Sequence, residues 1–401
     1  MRVRAVWTKA AALTMALGLA ACATGPSGPP APIERPNTGV NLPETPRQPG
    51  VKPGLSPPHL NGRDLVRIGV LLPFSQRPAD ADGFYNAAEL ALFDHGQDTT
   101  LLMPRDSRNA EDAARSLIRD GADLIVGPIN REEVGPAGRA ARSARTPVIA
   151  FSTDRSVAGD GVYLLSLPLE EEVARVVGYA SAQGVQRFAL LAPETDYGKR
   201  VEQAFRAEVG RRGGNVVVSR FYPRADREAA AAAAAFAPEL AASGAQALML
   251  PEGGSTLRAV APGLVQGGAN LSRIRLLGTG AWAGEATREP TLAGGWYAAP
   301  EPPARTDFEN RYRAAYGRAP SRLSSLAYDA VAVAAALSRD PGRAGLNRSA
   351  LERSDGFVGA DGLFRFRGDG SVERALAVLE VRPGGAVVIE GAPKRFAGPS
   401  S

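Results

Sequence analysis

From residue 65 onward, short apolar runs alternate with segments of helical period. The runs are VRIGVLLP (66–73), DLIVGP (123–128), TPVIAFS (146–152), RFALLAP (187–193), NVVVSRFYP (215–223), QALMLP (246–251) and IRLLGT (274–279). Continuous Val/Ile/Leu runs of this length fit strands buried on both faces, as in parallel sheets. Between them, Ala110, Ala113, Ala114, Leu117 and Ile118 form one helical stripe, and Val173, Val176, Val177 and Ala180 form another. The alanine tract 229–235 reads as helix, because alanine is the best helix former. Repeated β-α-β units predict a doubly wound α/β fold with right-handed crossovers. The spacing over 65–152 recurs over 187–279, which predicts two similar parallel-sheet lobes. Helices near 306–316 and 321–338 then precede a glycine-rich β region at 356–381 that returns to both lobes.

Residues 1–63 carry a different pattern. Arg2, Arg4 and Lys9 form a basic start, and Ala10 to Ala21 is apolar apart from Thr14. That run is too short to span a bilayer but suits a secretory signal, residues 1–21. It ends in Leu19-Ala20-Ala21-Cys22, which holds the only cysteine of the chain and resembles the bacterial lipobox. The resemblance implies that Cys22 is lipidated, becomes the first mature residue and anchors the protein in a membrane. Ala23 stands where lipoproteins kept in the inner membrane often carry Asp, so the expected place is the periplasmic face of the outer membrane. Residues 22–63 follow as a tether, with eleven prolines between Pro26 and Pro58 and no apolar periodicity.

Composition narrows the chemistry. With one cysteine there is no intrachain disulfide, and the 44% hydrophobic content must supply the core. The sequence is basic overall, yet removal of the leader leaves 44 basic against 42 acidic residues and no basic block. Nucleic acid is therefore not an expected partner. GTGAWAG (278–284) misses the spacing of the dinucleotide fingerprint, and no GxxxxGK[ST] phosphate loop occurs. His59 lies in the tether and His95 after the first helix, so neither a His-paired nucleophile nor a His-rich metal site assembles. Glu170, Glu171 and Glu172 read as a solvated first helical turn, where negative charge suits the dipole. The expectation is a protein that is no enzyme, with no cofactor and no metal.

Ligands of open α/β sheets bind beyond the carboxyl ends of the strands. The loops there hold Phe74 and Ser75, then Asn130, then Ser152, Thr153 and Asp154, in the first half. In the second half they hold Tyr197, Glu252, Thr279 and Trp282. Hydroxyls and backbone amides at helix starts suit an anionic group, with Tyr197 and Trp282 as apolar walls.

RIGVLLPFS, GADLIVGPIN, TPVIAFSTD, DYG (196–198) and AYDAV (327–331), in this order, resemble the type I periplasmic binding protein fold of leucine-binding-protein-like receptors. The lipobox, LLGTGAW (276–282), GGWYAAP (294–300) and GFVGADGLFRF (356–366) are similar to the penicillin-binding protein activator lipoproteins. The resemblance covers 65–395 and implies a binding-protein domain over 64–395, with a tail at 396–401. One lobe would comprise about 64–166 and 297–352, the other 167–296 and 353–395, joined by a three-segment hinge. In amino-acid receptors of this family, loops aligning with Asn130 and Ser152–Asp154 hold the ligand carboxylate, an aromatic aligning with Tyr197 closes over it, and an acid aligning with 278–282 holds the amine. No carboxylate stands at 278–282 here, and Glu252 on the neighbouring loop is the substitute. The activator resemblance implies regulation of peptidoglycan synthesis by binding a class A penicillin-binding protein. The alternative is a substrate-binding protein of an ABC transporter, taking a leucine-like or other amino acid or a small polar ligand. The well-known activators carry a helical-repeat domain ahead of the binding-protein domain; here the proline-rich tether stands in that place.

Overall fold

The computed structural model describes residues 57–60, 62–284, 286–339 and 345–396. The leader, Cys22 and the tether up to residue 56 lie outside the described residues, as do 397–401.

The first half builds β1 (Val66–Leu72), α1 (Pro78–His95), β2 (Thr100–Asp106), α2 (Ala110–Arg119), β3 (Leu124–Val126), α3 (Arg131–Ala144), β4 (Val148–Ala150) and β5 (Val162–Leu164). The strands form one parallel sheet in the order β2-β1-β3-β4-β5. Both faces are covered. Ile68, Val70 and Leu72 face a core shared with α1, while Leu71 and Ile125 face α2 and α3. The burial of β1 on both sides is what its unbroken apolar run predicts.

The second half repeats the scheme with α4 (Leu169–Ala182), β6 (Arg187–Pro193), α5 (Asp196–Arg211), β7 (Asn215–Tyr222), α6 (Asp226–Ala242), β8 (Ala247–Met249), α7 (Gly254–Gln266), β9 (Arg275–Gly278) and β10 (Trp296–Ala299). The alanine tract lies in α6, with Ala229 and Ala233 fully buried. After β10 the chain returns to the first half through α8 (Pro302–Tyr316), α9 (Ser324–Ser338), α10 (Arg348–Leu351), β11 (Phe357–Gly359), β12 (Gly362–Phe366) and β13 (Val372–Arg374). It ends in the second sheet with β14 (Ala377–Arg382) and β15 (Gly385–Glu390). That sheet has the order β15-β14-β10-β9-β8-β6-β7, and β14 runs antiparallel to β10.

Two lobe boundaries differ from the sequence reading. Residues 353–374 belong with the first lobe, because Phe357, Phe364, Phe366 and Val372 share its core with Ile68, Leu72 and Tyr163. Residues 297–299 belong with the second, where Tyr297 pairs in register with Gly278. The chain therefore crosses between lobes at 165–168, 300–301 and 375–376.

Candidate functional site

The candidate residues fall into one group on each lobe, and the contact of Arg200 with Thr153 links the two. In the first lobe Phe74 packs edge-on against Tyr85, 5.9 Å between ring centres. Ser75 is exposed, and its backbone N–H donates to Asp106 Oδ2 at 2.6 Å. Asn130 begins α3; its Oδ1 accepts from Arg77 Nη2 at 2.9 Å and its amide donates to Glu133 at 3.3 Å. Ser152 is buried and its Oγ accepts the Asp154 N–H at 3.1 Å. Asp154 in turn accepts from the Ser156 N–H at 2.9 Å and from Arg131 at 2.7 Å. These bonds with Ser156, together with Arg131 and Arg200, hold its carboxyl below the usual range against the upward pull of burial. Thr153 is exposed and accepts from Arg200 Nη1 of α5 at 3.4 Å, a contact that crosses from one lobe to the other.

In the second lobe, Tyr197 shares a 3.2 Å hydrogen bond with the fully buried Thr279. Burial pushes the Tyr197 hydroxyl up to about 12. Glu252 is buried; it accepts from Tyr222 Oη at 3.2 Å and from the Gly253 N–H at 3.0 Å. Most of the candidates' polar atoms are thus engaged by neighbours in the chain.

Trp282 departs from the sequence reading. It is no cleft wall: the indole is fully buried in the core of the second lobe, beside Tyr297, and its Nε1 donates to Leu250 O at 3.0 Å. Two glycines give it room. A Cβ on Gly278 would stand 2.2 Å from the indole, and one on Gly295 would stand 2.7 Å from it. The glycines of the GTGAWAG segment are thus explained in part by an aromatic ring that must pass close to backbone.

The acidic start of α4 also departs from the sequence reading. Glu170 is a surface residue paired with Arg200 at 2.9 Å. Glu172 is buried and Glu171 half-buried; they reach from α4 to the first lobe on two sides of the crossover. Glu171 Oε2 accepts the Arg374 N–H at 2.8 Å, and Arg367 Nη2 stands 3.8 Å from its other oxygen. Burial pushes the Glu171 carboxyl up to about 7, opposed by these cations. Glu172, 5% exposed, accepts the Gly280 N–H at 3.0 Å and faces Arg322 Nη2 at 3.4 Å. Burial raises its carboxyl also. The periodicity of α4 carried the signal, since Glu172, Val176 and Ala180 recur every fourth residue on the buried face.

Behind this clasp lies a knot of buried charge. Arg374 Nε donates to Ser166 O at 2.7 Å, so the first and third crossings are tied together. Its Nη2 stands 4.0 Å from Asp329 Oδ2. Asp361 accepts from Ser325 Oγ at 2.6 Å and from Arg305 at 2.9 Å. Burial and the neighbouring Asp361 raise the Asp329 carboxyl, whereas Arg305 and Arg374 hold Asp361 down against its burial. Neither Arg322 nor Arg374 was singled out by the sequence reading, because their partners lie far away along the chain. Among the described residues no group of three or more His, Cys, Asp or Glu is placed to hold a metal, and no helix is long and apolar enough to cross a membrane.

Comparison with known proteins follows the same lines. A family model described as "Periplasmic binding protein" matches residues 66–386. Among curated proteins, the penicillin-binding protein activator LpoA of Vibrio antiquarius is 26% identical over 175 residues. That match takes in 40% of this chain and only 28% of the length of that relative. Among solved structures, a putative branched-chain amino acid ABC transporter from Rhodospirillum rubrum superposes with a TM-score of 0.69 at 22% identity, over 81% of this chain and all of that one (100%). An ABC transporter substrate-binding protein from Desulfitobacterium hafniense in complex with Leu gives 0.59 at 18% identity, over 81% and 99% of the two chains. A solute-binding protein of R. palustris in complex with benzoate gives 0.60 at 17%, over 84% and 98%.

Proposed function

The chain belongs to the periplasmic binding protein family, and from that premise we propose that it acts as a regulator rather than a solute receptor. It is an outer-membrane-tethered lipoprotein, held through Cys22, that binds and activates a class A penicillin-binding protein in the periplasm and catalyses nothing itself. The observation that carries this reading is the loop at 278–282. Where the resemblance asks for a carboxylate to hold an amine, this chain packs an indole into its own core, and the substitute, Glu252, is taken by Tyr222 and Gly253. The partial likeness to a penicillin-binding protein activator supports the same direction.

The test is direct binding. The mature protein and a purified class A synthase from the same organism are expected to associate, with the lipid anchor dispensable in solution. Absence of association in detergent and in liposomes would overturn the reading.

A receptor role is the second reading, favoured by Tyr197, which stands 37% exposed at the cleft with its hydroxyl on Thr279. Thermal unfolding against a panel of amino acids separates the two. A ligand at 100 times its dissociation constant adds about 2.7 kcal/mol of stability. A flat response is expected; a clear shift with one amino acid would favour the receptor.

A further inference from the structure

The second lobe carries a polar cavity of about 330 Å³ at the amino ends of β8, β9 and β10. Tyr197, Glu252 and Thr279 follow the carboxyl ends of strands in the same sheet, so the cavity lies at the sheet's other end. The turn after α4, the loop between α7 and β9, and residues 293–295 wall it. No Asp or Glu lines it, whereas Arg273 and Arg275 do.

Neither arginine has a carboxylate partner among the described residues. Arg275 donates to Gly294 O, a neutral group, and its guanidinium lies over Trp296, 4.3 Å from the ring centre. Arg273 is exposed, but its loop is fixed. Its backbone N–H donates to Asn270 O at 3.2 Å, and Asn270 Oδ1 accepts from the Ser272 N–H at 3.1 Å and from Ser272 Oγ at 2.6 Å. Gln246 also lines the cavity. Its Oε1 accepts the N–H groups of Gln186 and Arg187 at 2.8 and 3.0 Å, and among the described residues nothing accepts from its amide nitrogen. A neighbouring carboxylate, Glu380, is already engaged by Arg382 at 2.9 Å and by Trp296 Nε1 at 3.2 Å. These two bonds, helped by the charge of Arg275, hold its carboxyl below the usual range against its burial. Arg382 and Glu380 cancel as a pair, which leaves Arg273 and Arg275 as two unmatched positive charges in the wall.

We propose that this cavity binds a small dianionic organic molecule, of the class of short dicarboxylates and phosphate monoesters. Its anionic groups sit on Arg273 and Arg275, and the Gln246 amide donates to an oxygen between them. The guanidinium fork matches carboxylate and phosphate alike, so charge rather than shape sets the class. The volume is at the small end of those that hold ligands. The site stands independently of the regulator reading.

The test is calorimetric titration of the mature protein with glutarate and with glycerol 3-phosphate, with neutral glycerol as control. Saturable binding of at least one dianion is expected, with none of glycerol. Arg273→Glu should weaken it at least about tenfold, and Arg273→Lys should retain most of it. Position 273 is exposed, and an unchanged melting curve confirms that both variants fold. A second measurement places the ligand. In Trp282→Phe, Trp296 is the only tryptophan left beyond the leader, and its emission should change with the same saturation as the heat. No binding of either dianion overturns the proposal, as does equal binding by glycerol or by Arg273→Glu. Binding that leaves the Trp296 emission unmoved does so too. Attachment to vesicles containing phosphatidic acid without binding of either free dianion also overturns it, since the arginines would then serve a lipid surface.

Discussion

Position 278 tolerates no side chain, because the Trp282 indole occupies the space where a Cβ would go. Gly278→Ala is expected to cost about 1–3 kcal/mol through overpacking, read from urea unfolding. Shrinking the ring should relieve this, so in a Trp282→Leu background the same substitution should cost under about 1 kcal/mol. Equal penalties in both backgrounds would show that the two positions are not coupled. The sequence marked Trp282 as a cleft aromatic because it sits beside a strand end, and proximity along the chain says nothing about which way a side chain turns. Tyr197, at an equivalent place, is 37% exposed, with its hydroxyl on Thr279. What separates them is the pair of glycines, Gly278 and Gly295, and the second lies far enough away that only the folded sheet brings it against the ring.

The first turn of α4 does more than begin a helix. Glu171 joins the second lobe to Arg374 and Arg367, and Glu172 joins it to Arg322. The folded-state pKa of Glu171, about 7, lies above that of an unfolded glutamate. Such a group favours the fold fully below the unfolded value, and this contribution is lost as pH rises through about 7. Glu172 and Asp329 are raised and act in the same sense, whereas His95 is lowered by burial and by Arg339 and acts in the opposite one. Comparing wild type with Glu171→Gln isolates the single site. The variant should gain relative stability between pH 4.5 and pH 8, by at most about 3 kcal/mol, and match the wild type below that window. A difference that is constant with pH would show that Glu171 does not titrate there. At this scale the sequence was informative where apolar runs were long, as in β1 and β6. It was silent for β2, interrupted by Pro104, and for β5 and β10. Burial of a charge also left no mark on composition, and only the helical repeat at Glu172 pointed to it.

For the whole molecule, charged side chains of α4 and α5 link one lobe to the other. Glu172–Arg322 and Arg200–Thr153 both cross between lobes. Arg322→Ala is expected to raise the open population about fivefold, on the order of 1 kcal/mol, seen by energy transfer between dyes at positions 132 and 199. An unchanged distance distribution would mean that the crossings alone set the angle. Two lobes and their α/β character were legible from periodicity, whereas the third crossing was misplaced. The phenylalanines of 357–366 satisfy an apolar pattern in either lobe, and only packing against Ile68 and Tyr163 decides between them.

The proposed role is regulation of a cell-wall synthase by contact. It is tested most directly by the initial rate of glycan crosslinking by a purified class A penicillin-binding protein in liposomes, with and without the lipidated protein. The expected result is a rate that rises with added protein, saturates, and is unaffected by amino acids. A rate that stays flat at every concentration, although the synthase is active and the added protein is folded, would contradict it.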